Sequence, residues 1–341
     1  MPLLVNAYSA LRTPVWPDFL PQAAVQHRGH ADPELVNHLH GFVGYVNQAG
    51  DGQMTQSRYH LMRHVQRVRQ HFTFELDDAA FAALAQWAEQ ANAVCFLADG
   101  SVRDPQGRVL ISQGELAIDD DAQVPYPPNA LQRRAQQLAL LTAQGIRVPP
   151  SLPPVPGEAE ARVRDAAVVS QRMPALFALA LRAEMLAAGD TPPSLDKVDA
   201  RLPASPQRCR RRSAPCSPRL RRTCRRWPTS AGATKGWLCC NGPWALRTRC
   251  RNRPSCALCR WPHSVHWITR KPRRTLLPLP ELLDALDRHL RLHGAVRQAG
   301  QPGQPAVPAD IVPGVVYERH YALNWLLHFE DAERDEVDTP T

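Results

Sequence analysis

Residues 312–327 read VPGVVYERHYALNWLL, and this stretch decides the character of the C-terminal half of the chain. Pro313 and Gly314 suit the entrance to a helix, because the first helical position needs no N–H donor. Val316, Leu323 and Leu327 recur at helical spacing and predict an apolar face. The opposite face carries polar and aromatic side chains at positions i, i+4, i+7 and i+11: Tyr317, Tyr321, Asn324 and His328.

Helical patterns continue upstream of this segment. A helix is predicted from Pro280 to Gly300, with a stripe formed by Leu283, Leu286, Leu290 and His293. Asn129 is predicted to cap another helix, because its side chain can accept hydrogen bonds from the free N–H groups of a first turn, and Gly145 to end it. Residues 158–188 resemble two helical pieces separated at Pro174.

The chain is therefore divided into a helical domain with two halves and a different N-terminal part. Residues 129–199 and 273–330 are the two helical halves, and residues 331–341 form an acidic tail that is expected at the surface. Residues 1–115 are predicted to be a small α+β module, and residues 116–128, which contain PYPPN, a linker. In the module, a helix is expected after Asp77–Asp78, and strands at four places: Leu3–Tyr8, Gly41–Val46, Ala93–Ala98 and Arg108–Ser112.

Residues 200–272 differ in composition from everything around them. The window 201–274 holds 20 of the 41 basic residues, eight of the nine cysteines and five of the eight tryptophans, and no Asp or Glu. The remaining chain has 21 basic against 32 acidic residues, so its net charge is −11. Because an acidic surface repels phosphate backbones, nucleic acid is not expected as a partner of the remaining chain.

Three interpretations of this window compete. Runs such as Arg210–Arg212 are typical of a nucleic-acid-binding arm. Cys256 and Cys259, followed by His263 and His266, suggest a zinc site, but only three residues separate Cys259 from His263, far fewer than a zinc finger needs. The third interpretation is a shifted reading frame in GC-rich DNA, which yields Arg, Pro, Cys and Trp and removes the acids.

The genetic code supports the shifted frame. When residues 231–245, AGATKGWLCCNGPWA, are back-translated and read from each third base, the codons permit W-R-Y-E-G-L-A-V-L-Q-W-A-L-G. This string has a good helix former at nearly every position. Residues 200–272 are therefore interpreted as an irregular, frameshifted segment that interrupts the helical domain.

The out-of-frame string resembles the central W-R-Y-E-A-L motif of the bacterial DUF4272 family, a domain of unknown function. Segments on both sides resemble the same family in order and spacing: Leu131–Pro153, Ala159–Ala188, Leu282–Ala295, Val312–Leu327 and Val337–Thr341. Residues 37–112 resemble an N-terminal module that some members carry. The chain departs from the family at Gly294, where a Trp is common, and in lacking the W-R-Y-E motif. The resemblance implies no activity, because the family has none assigned.

The candidate site residues lie in the last two predicted helices: Arg291, His293, Tyr317, Glu318, Arg319 and Tyr321. Such a set can bind an anionic ligand or perform acid–base chemistry. Polar pairing between helices is the structural alternative, with His293 as a hydrogen-bonded core residue and Arg291 paired with an acid across helices.

A non-catalytic binding or protein-interaction role is therefore expected, and the alternative is an enzyme with an Arg/Glu/Tyr/His pocket. No catalytic triad, metal-ligand set, phosphate loop or cofactor motif is recognised in the parts read in frame. The N-terminus lacks the pattern of a signal peptide, and no membrane span is expected. A single cysteine outside the window, Cys95, fits a reducing cytoplasm.

Overall fold

The computed structural model describes residues 3–50, 52–113, 116–170, 276–334 and 336–341, and the fold is α+β. The chain forms two compact units. The first comprises Met1–Leu140 and Pro149–Arg162, and the second comprises Leu141–Val148 and Val163–Thr341. In the described residues, the first unit contains the sheet, and the second is built around helices.

The first unit contains a six-stranded sheet, in which all the strand pairs are antiparallel and the strand order is β2-β3-β1-β4-β5-β6. The strands are β1 (Leu3–Ser9), β2 (Gln26–Gly29), β3 (Gln70–Leu76), β4 (Ala93–Leu97), β5 (Ser101–Arg103) and β6 (Val109–Ser112). In the register, Tyr8 of β1 lies opposite His71 of β3, which in turn lies opposite Arg28 of β2.

Side chains alternate between the two faces of the sheet along each strand, and helices cover both faces. One face (Val5, Phe72 and Cys95 among others) packs with α3 (Phe81–Gln90) through Leu84, Trp87 and Ala88. The other face includes Tyr8 and Val94 and packs with α1 (Pro33–Gln48) and α2 (Gln56–Val65). Burial raises the pKa of the Cys95 thiol to about 12, so this cysteine is an inert core residue.

The prediction of a strand at Gly41–Val46 is wrong, because this segment lies inside α1. Its β-branched and aromatic residues favour a strand locally. The segment is helical because the Asp32 side chain accepts a hydrogen bond from Glu34 N and a proline occupies the first turn, and both stabilise the start of α1. Phe42 and Val46, four residues apart, are both buried on its inner face.

The other strand predictions are confirmed, but three strands of the sheet, β2, β3 and β5, were not predicted. Leu3–Ser9, Ala93–Leu97 and Val109–Ser112 are strands, but the polar turn between the last two contains the short strand β5. Two tight turns at Gly100 and Gly107, both with positive φ, make this possible. A 3-10 turn, Asp78–Ala80, precedes α3, and Asp77 makes no side-chain capping bond.

Residues 116–127 have no regular secondary structure in their described part, yet they pack on the module, with Ala122 and Val124 buried in the core beneath α1 and α2. They lead into α4 (Pro128–Ala143). The prediction that Asn129 caps this helix is wrong. The helix begins one residue earlier, and the buried Asn129 Oδ1 accepts no hydrogen bond within the described chain.

The returning segment 149–162 is fastened to the module through Glu160. Its carboxylate accepts hydrogen bonds from Arg67 Nη1 at 2.5 Å, Asn92 Nδ2 at 2.8 Å and Gly157 N at 2.5 Å. Burial raises the pKa of Glu160, and the Arg67 guanidinium opposes that shift. We call residues 149–162 the strap.

The second unit contains α5 (Leu279–Ala299) and α6 (Pro313–Leu326), which pack against each other. Leu292, Ala295 and Val316 form a core with Leu141 and Ile146. The leucine stripe of α5 is predicted to pack against the helical segment Leu176–Met185, but that segment lies outside the described residues. The window 200–272 with its cysteines lies outside them as well. Within the residues that are described, no helix combines the length and apolar character needed to cross a membrane.

Candidate functional site in the α5–α6 pair

Helix α5 is enclosed on every side over two turns. Pro280 lies in its first turn and Glu281 complements the helix dipole there, as Arg297 does in the last turn. All seven residues from 289 to 295 are buried. A helix enclosed in this way must satisfy its polar side chains inside the protein, because water cannot reach them.

Arg291 is fully buried and forms a two-pronged ion pair with Asp287, which is fully buried as well. Arg291 Nε donates to Asp287 Oδ2 at 2.8 Å, and Nη2 donates to Oδ1 at 2.6 Å. Sequence analysis expected an acid on another helix, but Asp287 lies one turn earlier in α5 itself. The pair is a rigid buried element with the parallel geometry that Arg and carboxylate prefer.

The structure brings His293, Tyr317 and Tyr321 together. The His293 ring meets the edge of the Tyr317 ring at a centroid distance of 5.6 Å, and Tyr317 stacks on Tyr321 at 6.3 Å. His293 Nδ1 lies 3.1 Å from Nδ1 of the buried His320. Because two imidazole nitrogens share this short contact, one carries the hydrogen and the other accepts it.

Arg319 and Glu318 are half-buried, and Arg319 points to a second histidine. Arg319 Nη1 lies 3.5 Å from Nε2 of the buried His289. Since Arg319 can only donate, that histidine nitrogen is the acceptor, and His289 donates from Nδ1 to Ala285 O at 2.7 Å. Arg319 Nε is buried without a hydrogen-bond partner in the described chain.

The end of α6 differs from the predicted stripe. The helix stops at Leu326, and His328 adopts a left-handed conformation beyond it, so His328 does not continue the Tyr317–Tyr321 row. The Tyr321 hydroxyl donates to Arg334 O, and Asn324 Nδ2 donates to Asp338 O at 2.8 Å. These bonds fix the tail, in which Val337 and Thr339 are buried rather than at the surface.

Burial keeps His289 and His293 neutral. It lowers the pKa of His289 to about 4, with further lowering by the charges of Arg319 and Arg288. Burial also lowers the pKa of His293 to about 4, and Arg297 acts in the same direction. At neutral pH these side chains are therefore uncharged hydrogen-bonding groups.

Three residues that contact the predicted ones directly were not predicted from the sequence: Asp287, His289 and His320. Arg164 was not predicted either. Two of these had a visible signal, since His289 and His293 are spaced i and i+4 and Asp287 and Arg291 likewise. Arg164 had none. It donates from Nε to Trp325 O and from Nη2 to Ala332 O, both at 2.6 Å, and so binds the carbonyl end of α6.

A second polar cluster, also missed, lies in the first unit, where β2 and β3 meet α1. It consists of Asn6, Arg28, His38, His71 and Thr73, and we call it the Arg28 cluster. Arg28 Nη1 lies 3.3 Å from His71 Nδ1, and the rings of His38 and His71 stack at 4.2 Å. A signal was present, because seven of the 13 histidines lie between residues 27 and 71.

One small, partly open pocket in the second unit, of about 50 Å³, lies beside the C-terminal end of α5. Its lining includes Ile146, Ala295 and Val307 and none of the six predicted site residues. In the described chain, no group of three His, Cys, Asp or Glu residues is arranged to hold a metal ion.

Comparison with known protein families finds a similarity in the C-terminal half. The model of a domain of unknown function, DUF4272, matches residues 133–204 and 266–337. The unmatched stretch between them, residues 205–265, falls inside the window of unusual composition. Neither the curated proteins nor the solved structures contain a match to this chain.

Proposed function

Because the DUF4272 domain that residues 133–204 and 266–337 match has no assigned activity, we propose a function from the geometry of the chain alone. The helical half is a non-catalytic binding domain, and its partner is another protein. The polar residues of α5 and α6 hold the domain together, and the partner contacts the exposed start of α6. The protein works in the cytoplasm.

The buried polar contacts support a structural role for most of the candidate residues. Arg291 is engaged by Asp287, His293 by His320, and Tyr321 by the backbone of the tail. A buried polar group that is already satisfied contributes to the specificity of packing, and a ligand would have to break its bonds. These three residues are therefore assigned to the framework of the domain.

The pKa values argue against acid–base catalysis by the histidines. A general acid or base works best when its pKa lies near the working pH. His289 and His293, with pKa values of about 4, are neutral and weakly basic at pH 7. Imidazoles of this kind are poor proton donors in the neutral range.

The observation that carries the proposal is the exposure of Tyr317. Of the six candidates, only Tyr317 is exposed, with 37% of its surface accessible. Its ring still contacts His293 and Tyr321 inside the pair. Val312 beside it is 44% exposed. A tyrosine ring held in place by its own protein loses little entropy on binding, which is why tyrosine is enriched where proteins meet.

The experiment compares Tyr317→Ala with Tyr317→Phe in the full chain. An interface needs the ring, so a protein co-purified with the wild type should be retained by Tyr317→Phe and lost with Tyr317→Ala. Catalysis needs the hydroxyl, so an enzyme would lose activity in both variants. Circular dichroism checks that both variants remain folded.

Two outcomes would overturn the proposal. One is that no co-purified protein depends on the ring of Tyr317. The other is that a small molecule is chemically altered by the wild type but not by Tyr317→Phe. The second result would favour the enzyme alternative, for which the partnerless buried Nε of Arg319, next to His289, is the supporting observation.

A further inference from the structure

We propose that the Arg28 cluster of the first unit binds a small, doubly charged oxyanion, either phosphate or a phosphate monoester. This site lies in a different unit from Tyr317 and does not depend on the function proposed for the helical half. Three features of the cluster support this proposal: the directions of its hydrogen bonds, the charge of Arg28 and its rigidity.

The hydrogen-bond directions follow from Arg28, which can only donate. Arg28 Nη1 donates to His71 Nδ1 at 3.3 Å, so the hydrogen of the neutral His71 ring sits on Nε2. His71 Nε2 then donates to Asn6 Oδ1 at 3.1 Å, and Thr73 Oγ1 donates to the same oxygen at 3.0 Å. The carbonyl of Asn6 is thereby used, and its NH₂ group is left to donate elsewhere.

Tyr8 determines which ring nitrogen of His38 carries the hydrogen. Burial raises the pKa of Tyr8, so the phenol keeps its hydrogen and donates it to His38 Nε2 at 2.9 Å. The hydrogen of the neutral His38 ring therefore sits on Nδ1. Within the described chain, no hydrogen bond involves His38 Nδ1, Asn6 Nδ2 or Arg28 Nη2, and none of these three donors is sealed from solvent.

Arg28 carries the positive charge of the cluster, and its histidines are neutral. Burial lowers the pKa of His71 to about 3, and His38, Arg28 and His27 lower it further. Burial and the charge of Arg28 lower the pKa of His38 as well. The one carboxylate that contacts the cluster among the described residues is Glu34, which lies 3.7 Å from Arg28 Nε with its side chain 77% exposed. The other nearby acid, Asp32, caps α1.

An oxyanion suits this arrangement, because it accepts hydrogen bonds from the guanidinium, the imidazole and the amide, and its charge is opposite to that of Arg28. Arginine suits phosphate in particular, because its planar fork matches two oxygens at once. Binding would also raise the pKa of His38, since an adjacent negative charge favours the protonated ring.

The cluster is held in place before any ligand arrives. Tyr8 is stacked between Phe42 at 4.1 Å and His71 at 4.9 Å, and His38 stacks on His71. The β2–β3 and β1–β3 pairings set Arg28, His71 and Tyr8 side by side in one row. A site whose donors are already oriented pays less entropy when it binds.

The experiment titrates the full chain with inorganic phosphate, glycerol 3-phosphate and acetate by calorimetry. Both phosphates should bind, and acetate should bind about tenfold more weakly or not at all, because it carries one charge. Tighter binding of glycerol 3-phosphate than of phosphate indicates an ester as the natural ligand, and the reverse indicates the free ion.

Three variants locate the site. Arg28→Gln should weaken phosphate binding by about tenfold or more, the effect of a lost charge-assisted bond. Glu34→Gln should tighten it severalfold, because a competing carboxylate is removed. Arg103→Gln, four strands away from β2, is the matched control and should leave the affinity unchanged.

NMR of labelled histidines gives a second readout, in which phosphate should raise the pKa of His38. If Arg28→Gln fails to fold, His38→Asn takes its place in the same titration. The proposal is overturned if neither phosphate binds, or if the affinity is the same in Arg28→Gln and in Arg103→Gln.

Discussion

Arg291 and Asp287 form a fully buried ion pair, and its two halves depend on each other. Replacing either residue alone, as in Arg291→Met or Asp287→Leu, leaves a buried charge inside α5 without its partner in the pair. We expect each single variant to lower the free energy of unfolding by about 3–5 kcal/mol, whereas the double variant should lose much less. Urea unfolding of the four proteins measures the coupling, and additive losses would contradict the assignment of the pair.

The buried histidines make the stability of the second unit depend on pH. Their pKa values are about 4 in the folded chain and near 6.5 when unfolded. Between these values the unfolded chain binds more protons, so stability should fall as the pH drops from 6.5 to 4 and level off below 4. At pH 5 the unfolded chain binds more protons than the folded chain, and His293→Gln should reduce this difference by close to one proton. An unchanged pH profile in this variant would show that His293 is not buried as a neutral ring.

At the scale of elements, two glycines provide matched substitutions. A Cβ added at Gly157 in the strap would lie 2.7 Å from Pro127 Cβ and 2.8 Å from Asn129 Oδ1. Gly41 lies inside α1 with no atom within 4 Å of such a Cβ. Gly157→Ala should therefore lower the melting temperature, and Gly41→Ala should raise the free energy of unfolding by about 0.5–1 kcal/mol. Equal effects of the two substitutions would show that the strap is not closely packed.

The elements that sequence analysis predicted correctly are those whose local pattern agrees with their packing. Leu3–Ser9 and Ala93–Leu97 alternate between two covered faces, and α5 carries a leucine stripe that is buried on all sides. The strand prediction for Gly41–Val46 is wrong because its residue types favour a strand, whereas the helix cap nine residues earlier and the burial of one helical face favour a helix. Local patterns could not reveal the early end of α6, because bonds to the tail determine it.

The site residues were predictable to the extent that helical spacing brings them together. Tyr317 and Tyr321 are one turn apart and do stack, and His293 meets them because α5 and α6 pack side by side. The Arg28 cluster was not predictable in this way. Its members come from β1, β2, β3 and α1, and only the strand register unites them.

At the scale of the whole molecule, the reading frame of residues 200–272 determines whether the helical domain is complete. We expect the coding DNA around codons 195–275 to show a shift, and a gene with the frame restored to encode the W-R-Y-E helix. The restored protein should melt cooperatively, while the chain as written should be marginally stable or insoluble, because it lacks a helix of its core. Soluble, cooperative melting of the chain as written, with bound zinc or paired cysteines, would contradict the shifted frame.

The path of the chain between the two units affects how the protein is made. Residues 141–148 belong to the second unit, and the chain then returns to the first unit with the strap before leaving it at Arg162. During translation, we therefore expect the first unit to become fully packed only after the strap has emerged from the ribosome, although the last strand of its sheet, β6, ends at residue 112. A nascent chain halted after residue 128 should remain sensitive to protease, and one long enough to expose residue 162 should become resistant.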